Sequence, residues 1–309
     1  MSPLILCTAR RVPRARAAAA RAASRLAAFG TLAVSATLLL TACAPMPVQR
    51  TSGTGTVERL YVLYCGEAQI PDVSPWSPGF NVGTRATFSD NCYLMRHAKG
   101  WMLWDGGYPD SLAERPEGLV GPRSTAWRKK TLAAQLAELG LAPARITHLA
   151  FSHSHADHVG NGNLFTAATL FIQQAEYEAA FGPDAAKFGF QSATHDKLRA
   201  NPTVKLNGDH DIFGDGSVTI LSTPGHTPGH QSRLVKLAKT GPVVLSGDLA
   251  HFQQNFDLRR VPGFNFNREG SVSSMERVAA VVREHRAQLW INHDIAQDAT
   301  LRHSPQFYD

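Results

Sequence analysis

Apolar runs of strand length recur from Arg59 to the C-terminus: Leu60 to Tyr64, Cys92 to Arg96, Trp101 to Trp104, Ile146 to Phe151, Leu170 to Gln173, Val218 to Leu221, Leu234 to Leu237, Val243 to Leu245 and Leu289 to Ile291. Their lengths predict strands. Between some of them the period changes to that of a helix. Leu132, Leu136 and Leu139 share one face of a helix predicted over Trp127 to Leu139, with Gly140 placed to end it. A second helix is predicted over Ser273 to Arg286, where Ser273 and Glu276 have capping-box spacing and Val278, Val281 and Val282 can share one face. This mixture predicts a layered α/β or α+β domain. No internal repeat of fixed period breaks it up. The stretches Asp72 to Thr87 and Gly182 to Pro202 lack a period and are predicted as loops at the rim of a site.

The N-terminal part follows a different pattern. Residues 1 to 42 hold six arginines and no acid, followed by an apolar stretch from Leu26 to Leu40 that ends in Leu40-Thr41-Ala42-Cys43. That order predicts a secretory signal. The stretch is shorter than the ~20 residues a membrane-spanning helix needs, which disfavours a permanent anchor. Residues 44 to 58, rich in Pro, Thr, Gly and Ser, are predicted to be a flexible tether, so the folded unit is expected over residues 59–309 as a single domain.

Charge removes one class of partner. The chain has 309 residues and a formal net charge of +6, but six of its 31 basic residues lie in the signal segment, leaving 25 against 25 acids. A basic face for nucleic acid has no support, and none is expected.

Four metal-capable side chains fall within six residues after the run Ile146 to Phe151, in Ser152-His153-Ser154-His155-Ala156-Asp157-His158. On a strand the period of two would align His153, His155 and Asp157; on a turn at a strand end all four can converge. Packing does not explain such a cluster, because buried polar groups need partners, and a metal supplies one. His226, Asp248 and His293 each follow a later apolar run: Val218 to Leu221, Val243 to Leu245 and Leu289 to Ile291.

The His-x-His-x-Asp-His sequence after an apolar strand resembles the signature of the metallo-β-lactamase superfamily. Gly225-His226, Ser246-Gly247-Asp248 and Asn292-His293-Asp294 match its later motifs in order. The resemblance covers residues 59–309 and implies an αββα sandwich with two divalent metal ions, zinc by default. It implies that His153, His155 and His226 hold one ion, that Asp157, His158 and His293 hold the other, and that Asp248 bridges them. It also implies attack on a substrate carbonyl by a hydroxide between the metals, with Asp157 passing a proton to the leaving oxygen. His230 is expected to shape the loop after His226.

Within the superfamily the chain most resembles the N-acyl homoserine lactone lactonases. Gln174 to Ala180, Thr223 to Ser232, Gly241 to Leu245, Val261 to Phe264 and His293-Asp294-Ile295 carry that likeness. Diiron redox members usually have Glu at the position of His155. Class B β-lactamases often use Cys where Asp248 stands. Glyoxalase II enzymes carry an extra C-terminal helical region, and only 61 residues follow Asp248 here. The resemblance therefore implies opening of a homoserine lactone ring; another lactone, ester or thioester is the second reading, and a non-catalytic metal- or ligand-binding lipoprotein the third. One departure is His251, which stands where well-known lactonases carry a tyrosine that bonds the lactone carbonyl; His251 is the expected donor in its place. Trp76, Phe80 and Phe88 are candidates for an apolar rim.

The sequence Leu40 to Cys43 resembles a bacterial lipobox, implying lipidation of Cys43, membrane attachment and a location facing the periplasm, with Ala44 favouring the outer membrane. An ordinary cleaved signal is the alternative. Cys65 and Cys92 would then remain in a compartment where disulfides persist, either paired or separately buried.

Overall fold

A strand that is apolar on both faces must be covered on both, and that requirement sets the layering of this chain. The computed structural model describes residues 57–309. The expected signal segment, Cys43 and the tether through residue 56 lie outside the described residues.

Thirteen strands form: β1 Arg59–Ile70, β2 Ala86–His97, β3 Gly100–Trp104, β4 Leu119–Val120, β5 Thr125–Trp127, β6 Ile146–Ala150, β7 Thr169–Gln173, β8 Thr203–Leu206, β9 His210–Asp211, β10 Val218–Ser222, β11 Gln231–Leu237, β12 Gly241–Leu245 and β13 Gln288–Trp290. One sheet has the order β4-β5-β1-β2-β3-β6-β7-β8 and the other β13-β12-β11-β10-β9. The helices are α1 Leu132–Glu138, α2 Ala156–Val159, α3 Gln174–Phe181, α4 Gln253–Leu258, α5 Arg268–His285 and α6 Ile295–Asp298.

Period-two alternation sorts the core into three slabs. Leu60, Val62, Tyr93, Met95 and Met102 meet Val218, Ile220, Val235, Val243 and Leu245 between the two sheets. Tyr61, Leu63 and Leu94, on the opposite face of the first sheet, pack under Leu132 and Leu136 of α1 and Ala179 and Ala180 of α3. Leu221, Leu234 and Val244 face Met275, Val278 and Ala279 of α5. The result is the αββα sandwich that the resemblance implied. Among the described residues no helix is long and apolar enough to cross a membrane.

All nine expected strands are present, and several boundaries move for identifiable reasons. Strand β1 runs on past Tyr64 through a bulge at Tyr64/Gly66, so its second half escapes a search for continuous apolar runs. Trp127 pairs with Glu67 as part of β5, and helix α1 starts only at Leu132, where the Thr131 side chain accepts from Ala134 N. Helix α5 begins at Arg268, capped by Asn267, whose side chain accepts from Gly270 N; Ser273 lies inside the helix and is no cap. Gly182 to Pro202 contains three short 3-10 turns, and Ala86 and Thr87 open β2. Val57 is buried and its N–H donates to Lys236 O, so the packed domain includes residues two positions before Arg59.

Cys65, in the β1 bulge, is disulfide-bonded to Cys92 of β2, with the two Cα atoms 5.7 Å apart. The bond closes a sequence separation of 27 residues. Chain-entropy reasoning puts its contribution at roughly 3 kcal/mol for a loop of that size. A double variant, Cys65→Ser with Cys92→Ser, is expected to lose about that much stability in denaturant unfolding; an unmoved midpoint would show that the bond constrains nothing.

Candidate metal centre

Strand β6 is buried at its end, Leu149 and Ala150, and Ala150 O accepts from the N–H of Asp105, the residue after β3. Asp105 holds a left-handed φ of 61°. Its Oδ1 accepts from Ser152 N at 2.6 Å and its Oδ2 meets His158 Nδ1 at 3.1 Å, so one carboxylate folds the chain into a turn. Four residues of helix α2 follow, carrying Asp157 and His158. The turn geometry, and not an extended strand, brings the cluster together.

Glu176 of α3 ties that turn to the next. Fully buried, it accepts from Ser154 N at 2.8 Å, Thr227 Oγ1 at 2.7 Å and Gly229 N at 2.9 Å. It thereby fixes the connection from β10 to β11, which carries His226. Gly225 in that connection has φ 140°, and a Cβ there would meet Ser271 N at 2.3 Å. Asp248 follows β12, and His293 follows β13.

Ring nitrogens from four segments converge on Asp248. Its Oδ2 lies 3.3 Å from His226 Nε2, 3.8 Å from His153 Nε2 and 3.1 Å from His251 Nε2. Its Oδ1 lies 3.1 Å from His158 Nε2 and 3.0 Å from His293 Nε2. His155 Nδ1 is 2.8 Å from His153 Nε2 and 3.1 Å from His226 Nε2. The groups His153–His155–His226 and Asp157–His158–His293 each present three ligand atoms within 4.8 Å of one another. Each oxygen of Asp248 thus faces one group.

The far nitrogens have oxygen partners, as metal-binding imidazoles require. His155 Nε2 donates to Phe188 O at 2.9 Å, His226 Nδ1 to Asn265 Oδ1 at 2.9 Å and His293 Nδ1 to Ser89 O at 2.7 Å. His158 Nδ1 uses Asp105, while His153 Nδ1 is 3.1 Å from Ser152 Oγ. His230 does what the sequence suggests: Asp248 N donates to its Nε2 at 2.9 Å, and its Nδ1 is 3.0 Å from Thr223 O. Burial lowers its pKa to about 4, keeping it neutral for that acceptor role.

Burial, reinforced by His158, holds the pKa of His153 well below the ordinary imidazole value. Burial does the same to His226 against the pull of Asp248. For His158 burial opposes charge, but Asp248 and Asp105 outweigh it and raise the pKa well above normal. His293 rises likewise, against burial, to about 9, chiefly through Asp248. His158 Nε2 and Asp248 Oδ1 are buried without an aligned hydrogen bond. Five imidazoles aimed inward at one carboxylate, with two orphaned front atoms, fit cations better than protons.

The cluster opens into a cavity of about 260 Å³ whose wall includes Trp76, Phe88, Tyr108 and Phe264. Trp76 and Phe88 stand where the sequence suggests; Phe80 lies elsewhere, under the Arg260 guanidinium. Phe264 stacks edge-on against Trp76. His251 lines the cavity, but its Nε2 is directed at Asp248 and its Nδ1 is buried without a partner.

Residues 86–283 match the family model for the metallo-beta-lactamase superfamily. The chain belongs to that superfamily. As a metallo-beta-lactamase superfamily member it is a metal-dependent hydrolase. It is 33% identical over 230 residues to the N-acyl homoserine lactonase AttM of Azorhizobium caulinodans, covering 70% of this chain and 86% of that one. It is 30% identical over 261 residues to an N-acyl homoserine lactonase of Bacillus sp., covering 82% and 99%. An N-acyl homoserine lactone hydrolase solved with N-hexanoyl-L-homoserine at its catalytic metal center is 27% identical, with a TM-score of 0.72, covering 82% of this chain and 99% of that one.

The seven residues expected to hold metal in this superfamily member all lie in one cluster. Its supports were not visible in the sequence: Asp105, Glu176 and Asn265 each act across more than 20 residues of chain on groups that only the fold brings near. The polar residues after β3, Asp105-Gly106-Gly107-Tyr108, are the one stretch whose composition signals a turn at a strand end.

Proposed function

We propose that this hydrolase opens the lactone ring of N-acyl homoserine lactones, with two divalent cations, zinc by default, held by His153, His155 and His226 on one side and Asp157, His158 and His293 on the other. Asp248 bridges the two sides. The observation that carries this reading is the split of Asp248, one oxygen toward each group of ligands, next to an apolar cavity wall suited to an acyl chain. The lactonase relatives support the choice of substrate.

When bound, the cations supply a Lewis-acidic pull on the ester carbonyl and water that ionises near neutral pH. The chain's own groups do the rest. Asp157, half-buried and on the cavity wall, takes the proton of the attacking water and returns it to the ring oxygen as the ring C–O bond breaks. The product is a hydroxy acid, equal to the lactone plus one water. His251, engaged with Asp248 through Nε2, orients that carboxylate.

The location proposed from the N-terminal sequence is a lipoprotein anchored through Cys43 and facing the periplasm. Val57 packs by Leu237, whereas Ile70 at the far end of β1 lines one margin of the cavity. Twelve residues of strand separate them, roughly 40 Å at the rise of an extended chain. A location facing the periplasm would let the enzyme meet diffusible signalling lactones, a quorum-quenching position.

The test is to incubate the purified protein with N-acyl homoserine lactones and follow gain of one water by mass, then acidify. Ring opening that reverses in acid is the expected result. A metal-loaded protein inert toward these lactones would reject the substrate, and activity on other esters or thioesters would select the second reading.

A further inference from the structure

Hydrolysis of an ester builds negative charge on oxygen, and a neutral donor fixed in a dry wall stabilises it strongly. Most donors around this cavity are already engaged. Ser89 Oγ donates to Asn292 O at 2.9 Å, His226 Nδ1 is bonded to Asn265, and His251, whose Nε2 faces Asp248, keeps only a buried Nδ1 without a partner. Arg123 and Ser124 belong to the hairpin between β4 and β5, and Arg123 is exposed, lying over the ring of Phe264.

Tyr108 is different. Its backbone is fixed four times: its N–H is shared between Asp90 Oδ2 and Cys65 O, each at 3.2 Å, and its carbonyl accepts from Arg128 and from Asn161 Nδ2 at 2.8 Å. Its ring packs with Ala68, Ile70, Trp76 and Phe88 and lies flush on Gly66, where a Cβ would meet Tyr108 Cδ2 at 2.5 Å. That locks the ring, yet its hydroxyl makes no hydrogen bond to any described residue, and the side chain lines the cavity together with Asp157, Asp248 and His293. Burial, then the charge of Asp157, Asp90 and Asp248, keeps the phenol protonated and hence a donor.

We propose that Tyr108 is a catalytic residue whose hydroxyl donates a hydrogen bond to the lactone carbonyl oxygen as it becomes negative. This assignment rests on the lactonase reading. It also gives the glycine at position 66 a purpose, since any side chain there would push the phenol ring out of place.

Tyr108→Phe removes the hydroxyl and keeps the ring. The expected result is a fall in kcat on the order of 100-fold, with KM within a few-fold of the parent and metal content and unfolding midpoint unchanged. Trp76→Phe, which removes the indole N–H from the wall, tests the competing donor. Full kcat in Tyr108→Phe, a loss that tracks missing metal, or a loss seen only with Trp76→Phe would each overturn the assignment. If the parent enzyme turns over no acyl homoserine lactone, the lactonase reading fails first and takes this proposal with it.

Discussion

Replacing Asp248 with alanine is expected to abolish binding of at least one metal per chain and to lower lactone turnover by a factor on the order of 1,000. The reason is the position of its two oxygens. Oδ1 is within 3.1 Å of nitrogens from His158 and His293, and Oδ2 is within 3.3 Å of those from His226 and His251. Among the described residues no other carboxylate joins both groups; Asp157 belongs to one of them. Without Asp248 the cluster keeps five imidazoles and loses the charge that joins them, so two cations would sit close together with little to offset their repulsion. Metal analysis and kinetics on the same sample decide the point. A variant retaining both metals would remove the bridging role.

Glu176→Ala is expected to produce the largest loss of stability. Its carboxylate is buried and accepts three hydrogen bonds, from Ser154 N, Thr227 Oγ1 and Gly229 N. Alanine would leave those donors without a partner at about 1 to 3 kcal/mol each. For three donors that is roughly 3 to 9 kcal/mol, a large part of a domain's stability. The same change frees two of the ligand-bearing connections from each other, so metal affinity is expected to fall with stability. Glu176→Gln keeps one acceptor oxygen and should lose less. Denaturant unfolding that shows Glu176→Ala within about 1 kcal/mol of the parent would mean that the donors find water or other partners.

Strands and metal cluster were legible in the sequence because their signals are local. An apolar run such as Val243 to Leu245 needs only its neighbours to be read as a strand, and His153 to His158 concentrates metal-capable groups too densely for packing to explain. The ends of elements were less legible. Asn267 wins the cap of α5 over Ser273 because its side chain reaches Gly270 N, while its own N–H donates to Gly225 O in a distant connection. The short strands β4, β5, β8 and β9 gain their order from pairing, and Leu119 and Val120 are exposed, so no burial pattern marks them. Site supports were least legible. Glu176 reads as one acid in an ordinary helix, and Tyr108 as one aromatic after a glycine pair, until the fold places both within the site. His251 shows the converse: its position is legible from the resemblance, but the direction of its nitrogens is a property of the packed structure.

Zinc titration tests most directly whether two cations held by this cluster carry the proposed lactone hydrolysis. Metal-depleted protein should be titrated with zinc while bound metal and hydrolysis of an N-acyl homoserine lactone are measured on the same samples. Activity that is absent without metal and reaches its plateau as the second equivalent per chain binds is the predicted result. A plateau at one equivalent, or hydrolysis that persists without metal, would contradict it.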